Sequence, residues 1–242
     1  MKNVLILLIA CFSICTNSHA QTLIPILCYH NIHLGNGVKS NIMHITRDQL
    51  NAQLKSLADS GYHTMLPDDL VKYMQSGRHV SPKTFMITFD DSHEEHFSIA
   101  DSLLRHYGFR GVFFVMTIPL GKHGYLTAAQ VKLLSDRGHV IAAHTWDHPF
   151  LRPSGKMDWK KELDAPKQQL EKIIGKPVLY FAYPYGEWND TMISHLKSSG
   201  YKAAFQLGAP RRNGLYTIPR MMVDGRLSGP ALQRKMAVFM GE

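Results

Sequence analysis

Leu103-Leu104-Arg105-His106-Tyr107-Gly108 is followed closely by Gly111-Val112-Phe113-Phe114-Val115-Met116. The first stretch has helical character and stops at a glycine, the residue that most easily takes the left-handed conformation closing a helix. The second is apolar on both faces, as a strand must be when helices cover one side and packed core the other. The same succession recurs three times, with Gly61 before Tyr62-His63-Thr64-Met65, Gly138 before His139-Val140-Ile141-Ala142-Ala143-His144, and Gly200 before Tyr201-Lys202-Ala203-Ala204-Phe205. Further strands are expected at 24–29, 85–89, 178–183 and 215–219. Helices are expected at 46–60, 67–75, 95–107, 127–137, 158–174, 190–199 and 229–240, the first with Thr46 as cap and Leu50, Leu54 and Leu57 on one face. Seven or eight strands alternating with helices give a parallel sheet, and at this count closure into a barrel is more natural than an open sheet. No linker divides the chain, so a single α/β domain is expected.

The composition is that of an ordinary globular protein: 242 residues, 45% hydrophobic and 19% charged, without a low-complexity tract. The first twenty residues differ. Lys2, an apolar run from Val4 to Ile14, and Ser18-His19-Ala20 before Gln21 read as a secretory signal peptide over 1–20, leaving a mature domain at 21–242. A secreted or periplasmic location follows, with lipoprotein anchoring at Cys11 in second place. Nothing after the leader approaches ~18 continuous apolar residues, so no transmembrane segment is expected in the mature chain. Of three cysteines, Cys11 and Cys15 lie in the leader, and the remaining Cys28 excludes an internal disulfide and a thiolate-rich metal site. The charge of +8 is dispersed, which suits approach to an anionic envelope. Without a basic helix or an interleaved aromatic strip, nucleic-acid binding is not expected. No region marks an oligomer interface.

Working residues of a βα barrel cluster at the C-terminal ends of its strands. Here Phe85-Met86-Ile87-Thr88-Phe89 runs into Asp90-Asp91, and Val140-Ile141-Ala142-Ala143 into His144-Thr145-Trp146-Asp147-His148-Pro149. Ile26-Leu27-Cys28-Tyr29 runs into His30, and Leu179-Tyr180-Phe181-Ala182 into Tyr183-Pro184-Tyr185-Gly186. Each feature has a plain alternative: paired aspartates often cap the next helix, and lone histidines are often structural. Their joint occurrence at equivalent strand ends carries the case. One carboxylate and two neutral imidazoles suit zinc or a similar first-row ion, with cobalt or nickel as alternatives, and a second carboxylate beside it has a use as general base. Metal-assisted hydrolysis is the chemistry these groups suit.

Thr88-Phe89-Asp90-Asp91 and His144-Thr145-x-x-His148-Pro149 resemble the first two signature motifs of the polysaccharide deacetylases, the NodB-homology carbohydrate esterases; Phe181-Ala182-Tyr183-Pro184-Tyr185-Gly186 resembles the third. The likeness spans roughly Ile24 to Val223 and implies a distorted (β/α)7-type barrel. It implies Asp90 as catalytic base, Asp91, His144 and His148 as metal ligands, and a Pro184-Tyr185 turn whose Tyr185 N–H helps hold the oxyanion. Two departures stand out. Where the family's third motif has an arginine that pairs with the catalytic aspartate, this chain has Ala182; Arg220 is a candidate substitute, an ordinary surface arginine being the alternative. No histidine follows His195, whereas His30 ends the first strand, an arrangement that resembles the circularly permuted poly-N-acetylglucosamine deacetylases and implies His30 as the acid.

The expected reaction removes acetyl groups from N-acetylglucosamine units of an extracytoplasmic polysaccharide, with metal-bound water as nucleophile. A deacylase of a non-carbohydrate amide and a weakened carbohydrate-binding module are the alternatives. Asp147 is a candidate support for a metal histidine, or else faces solvent, and Trp188, Trp146 and Tyr185 are candidates to stack on sugar rings. His93 and His96, separated by Glu94 and Glu95, fit no known ligand spacing and are expected to face solvent or line a groove.

Overall fold

The computed structural model describes residues 23–35, 37–77, 80–150, 157–208 and 214–240; the expected leader, with Cys11, lies outside the described residues. The chain runs β1 (Ile26–Tyr29), β2 (Asn31–His33), β3 (His44–Thr46), α1 (Arg47–Asp59), β4 (His63–Thr64), α2 (Pro67–Ser76), β5 (Thr84–Phe89), α3 (Ser102–His106) and β6 (Val112–Val115). It continues through α4 (Ala128–Asp136), β7 (Val140–Ala143), α5 (Ala165–Ile174), β8 (Tyr180–Ala182), α6 (Asp190–Ser198), β9 (Ala203–Leu207), β10 (Ile218–Met222) and α7 (Gly229–Met240).

Seven parallel strands close a ring in the order β1-β10-β9-β8-β7-β6-β5, with β5 returning to β1. The strand expected at Tyr62 shrinks to β4 and stays outside. It pairs with the start of β5 (His63↔Thr84, Thr64↔Phe85), while β1 takes the rest of that edge, from Ile26↔Met86 to Tyr29↔Phe89. One edge cannot hold two full strands, so the barrel closes with seven. The last strand lies three residues later than expected, because Arg220, which ends an apolar run in the sequence, is drawn inside the barrel. Helix starts follow local chemistry: Thr46 and Thr127 form reciprocal capping boxes with Gln49 and Gln130. Two helices open with π-helical turns, His96–Asp101 before α3 and Lys160–Asp164 before α5. The short pair β2–β3 had no signal in the sequence pattern.

Side chains two residues apart share a face of a strand. Ile26, Met86, Val112, Ala142, Tyr180, Ala203 and Ile218 form one packed set that fills the barrel, joined by Leu70, Val71 and Tyr73 of α2. Their neighbours of opposite parity, including Leu27, Phe85, Ile87, Phe113 and Phe181, pack outward against the helices. Following the inner series along each strand leads from Ile26 to Cys28 and His30, from Met86 to Thr88 and Asp90, from Ala142 to His144, and from Ile218 to Arg220. Polar chemistry therefore gathers at the C-terminal mouth of an otherwise apolar barrel. No helix among the described residues is long and apolar enough to cross a membrane.

Candidate active site

Asp90 extends the ladder of β5, its N–H donating to the Tyr29 carbonyl at 3.1 Å. The chain then turns sharply: Asp91 and Ser92 have φ of 77° and 64°, a left-handed conformation that costs a residue with a side chain energy. Ser92 holds the turn. Its Oγ donates to the Met116 carbonyl at 3.1 Å and accepts from the Met116 N–H at 2.8 Å, tying the end of β5 to the end of β6.

His144 and His148 come from a second strained turn, with φ of 65° at Thr145 and 60° at His148. Thr145 Oγ1 accepts the His148 N–H at 3.0 Å, and buried Glu162 accepts the N–H of Trp146 at 3.1 Å. The third turn places Tyr185 at φ 58° and brings Gly186 so close to β9 that a Cβ there would lie 2.6 Å from the Leu207 nitrogen. Only glycine fits, because φ at Gly186 is also positive.

These turns bring the candidate metal ligands together. His144 Nδ1 lies 2.8 Å from the Ala182 carbonyl, so that nitrogen carries the proton and Nε2 faces the mouth as an acceptor. Asp91 Oδ1 is 3.5 Å from His144 Nε2 and 3.6 Å from His148 Nε2. It is buried and has no hydrogen bond among the described residues. A buried anionic oxygen without a donor, facing two imidazole nitrogens, fits a divalent cation. Burial would push the Asp91 carboxyl up, but His144, His30 and His148 hold it well below the usual carboxylate range. Burial pulls His148 down, with His144 adding to the effect. For His144, burial is outweighed by Asp90 and Asp91, and its basicity rises.

Arg220 has no exposed surface, and its guanidinium reaches Asp90 through two hydrogen bonds of 2.7 Å, one to each oxygen. A further bond of 3.0 Å goes to Thr88, and the cation sits 4.8 Å from the centre of the Phe114 ring. The guanidinium thus arrives from β10. Burial alone would raise the Asp90 carboxyl, but Arg220, His144 and His30 bring it down to about 2. Asp90 Oδ2 lies 3.9 Å from both His30 Nε2 and His144 Nε2. Burial lowers His30 from its ordinary 6.5 against the pull of Asp90 and Asp91, so it is neutral near pH 7 in the resting protein rather than protonated.

His96 departs from expectation. Only His93 lines the cleft, stacked on Tyr125; His96 is buried, packs on Phe89 and Phe113, and its Nε2–H donates to the His30 carbonyl at 2.7 Å. The π-helical turn that begins at His96 puts the ring there, a placement no helical periodicity signals. Of the two readings of Asp147 the structure takes the solvent-facing one: it is exposed and pairs with Lys161 at 2.6 Å, while the Ala182 carbonyl orients His144. Trp188 is packed against the core, donates its indole N–H to Gln206 and does not line the cleft. Ser92, Glu162 and His96 are the positioning groups that sequence reading missed, since each acts across a gap in the chain. The mouth is a cleft of about 720 Å³ in which His30, Asp90, Asp91, His144, His148 and Tyr185 all take part.

A barrel of this kind with a carboxylate and two imidazoles at its mouth defines a class, and comparison with known proteins agrees. The family profile described as Polysaccharide deacetylase matches residues 77–204, more than half of the chain. The chain belongs to that family. The matched segment carries Asp90, Asp91, His144, His148 and Tyr185 but neither His30 nor Arg220. A putative polysaccharide deacetylase, YxkH, of Bacillus subtilis is 27% identical over 86% of this chain and 74% of its own length. Poly-beta-1,6-N-acetyl-D-glucosamine N-deacetylase of Staphylococcus aureus is 24% identical over 74% of this chain and 68% of its own. Among solved structures, the Streptococcus pyogenes deacetylase PplD in complex with acetate superposes with a TM-score of 0.82 at 25% identity, covering 90% of this chain and 99% of PplD.

Proposed function

We propose that this chain is a metal-dependent N-deacetylase acting on N-acetylglucosamine units of a polysaccharide outside the cytoplasm, reached through the 1–20 leader. One observation carries the reading: the buried, unpartnered Asp91 Oδ1 faces His144 and His148 beside a second carboxylate, Asp90, clamped by Arg220. Asp91, His144 and His148 would hold the ion, zinc foremost, with cobalt or nickel as alternatives. When bound, it supplies Lewis acidity, polarising the acetamide carbonyl and easing the deprotonation of water.

The chain's own groups do the rest. Asp90, fixed in its ionised form by Arg220, takes the proton from water at Oδ2. The Tyr185 N–H, presented by a left-handed turn just after β8, stabilises the developing oxyanion. His30 delivers a proton to the departing amine. Because His30 rests neutral and its Nε2 lies 3.9 Å from Asp90 Oδ2, it takes up the proton that Asp90 removed from water and passes that proton to the amine, which leaves both groups as they began. The half-exposed Tyr185 ring, packed edge-on to His148 at 4.5 Å, offers an apolar face to a pyranose. Acetate release from N-acetylglucosamine oligomers tests the proposal, with Asp90→Asn expected to keep metal binding and lose turnover. Full activity after exhaustive chelation would sink it.

A further inference from the structure

Cys28 has no part in that reaction, yet it occupies the inward position of β1 just below His30. Its Sγ lies 3.6 Å from Asp90 Oδ2 and 4.0 Å from His30 Nδ1, and His30 Nε2 is 3.9 Å from the same Asp90 oxygen. One sulfur, one nitrogen and one oxygen donor therefore lie within 4.8 Å of one another, all on buried residues. Ligands of a common tetrahedral ion with bonds of about 2.0–2.3 Å stand roughly 3.5 Å apart, so small side-chain adjustments would close this set on a cation.

We propose that Cys28, His30 and Asp90 form a second metal site, which takes a soft or borderline divalent ion such as cadmium or zinc and blocks the enzyme when filled. The donor chemistry separates it from the Asp91–His144–His148 set, which has no sulfur and no special affinity for soft ions. Charge permits it. The Cys28 thiolate and Asp90 contribute two negative charges and Arg220 one positive, so a dication leaves the cluster with a single positive charge. Without an ion, burial pushes the Cys28 thiol up and keeps its proton in place. Binding displaces that proton to solvent through the cleft that His30 and Asp90 line. An ion there engages the two groups assigned to proton transfer. The inhibitory effect rests on the proposed reaction, whereas the binding does not.

Chelator-stripped protein titrated with cadmium chloride tests the site, with bound ions counted by native mass spectrometry and the thiolate-to-cadmium charge-transfer band followed in the ultraviolet. The wild type is expected to bind two cadmium ions and develop the band. Cys28→Ser and Cys28→Ala bind one and show no band, while His148→Ala, altered only in the other set, keeps it. In acetate-release assays, half-inhibition of Cys28→Ser requires at least about tenfold more cadmium than the wild type. A wild type that binds a single cadmium without the band, or a Cys28→Ser that still binds two, overturns the site. A second ion that binds with the band but leaves acetate release unchanged overturns its inhibitory role. Absence of acetate release at every metal loading would instead count against the proposed reaction, because the binding arms read no turnover.

Discussion

Arg220→Met removes both 2.7 Å hydrogen bonds to Asp90 while keeping an unbranched side chain against Phe114. Asp90 is only 1% exposed, so the variant leaves a carboxylate inside the barrel without its counter-ion. Breaking one partner of such a buried pair costs about 3–5 kcal/mol. For a domain of this size that is a drop of about 6–20 °C in the thermal midpoint. The pH dependence has a definite sign. Asp90 is depressed from 3.8 to about 2 in the folded protein, so the stability it contributes is present above its ordinary value and lost as pH falls through about 2. The gap in midpoint between wild type and variant is therefore full at neutral pH and narrows in acid. With Arg220 gone, burial is the dominant influence on Asp90 and raises its pKa, so the acid limb of kcat/KM moves to higher pH. Scanning calorimetry and a pH–rate profile read the two effects separately. The double variant Asp90→Asn, Arg220→Met removes both charges and is expected to recover much of the stability but none of the activity. A midpoint within about 2 °C of wild type together with an unmoved acid limb would show that Arg220 is not what compensates the Asp90 charge.

Other substitutions divide the site by role. Asp91→Ala and His144→Ala should lose metal in equilibrium dialysis, whereas Asp90→Asn should retain it and still lose turnover; equal metal loss in all three would contradict the assignment. His30→Ala should lower kcat by about 10²–10⁴-fold with metal content unchanged. His96→Phe, which keeps the packing but not the 2.7 Å bond to the His30 carbonyl, should lower kcat by a smaller factor, and no change would show that His30 needs no such support. Glu162→Ala strips the acceptor from the Trp146 N–H and should weaken metal binding about 10–100-fold by loosening the His144–His148 turn, as seen in a zinc competition assay.

Much of this arrangement is written in the local pattern of the chain. Gly61, Gly108, Gly138 and Gly200 all take φ between 77° and 87° or, at Gly108, 70°, and the apolar runs near them become strands because no polar face is left to solvate. Strand alternation then explains why Asp90, His144 and His30 reach one mouth. Long-range register was not legible. Tyr62-His63-Thr64-Met65 reads like its neighbours, and only the competition of β1 for the same edge of β5 excludes it from the ring. Arg220 looks like the end of an apolar run because its counter-charge lies 130 residues away. The one sequence signal for it was Ala182, whose small side chain leaves Asp90 without the usual partner. For Asp147 the sequence left open support of a histidine or exposure to solvent, and the left-handed residues Thr145 and His148 around it go with the exposed position, where it pairs with Lys161.

In the proposed reaction a metal held by Asp91, His144 and His148 supports deacetylation with Asp90 as base. Acetate release from N-acetylglucosamine oligomers, measured for chelated protein before and after one equivalent of zinc, cobalt or nickel, reads that dependence. Activity should be absent in the chelated protein, return with the first equivalent, and fail to return in Asp91→Ala. Acetate release that is indifferent to chelation, or restored equally in Asp91→Ala, would mean that this set does not hold the working metal.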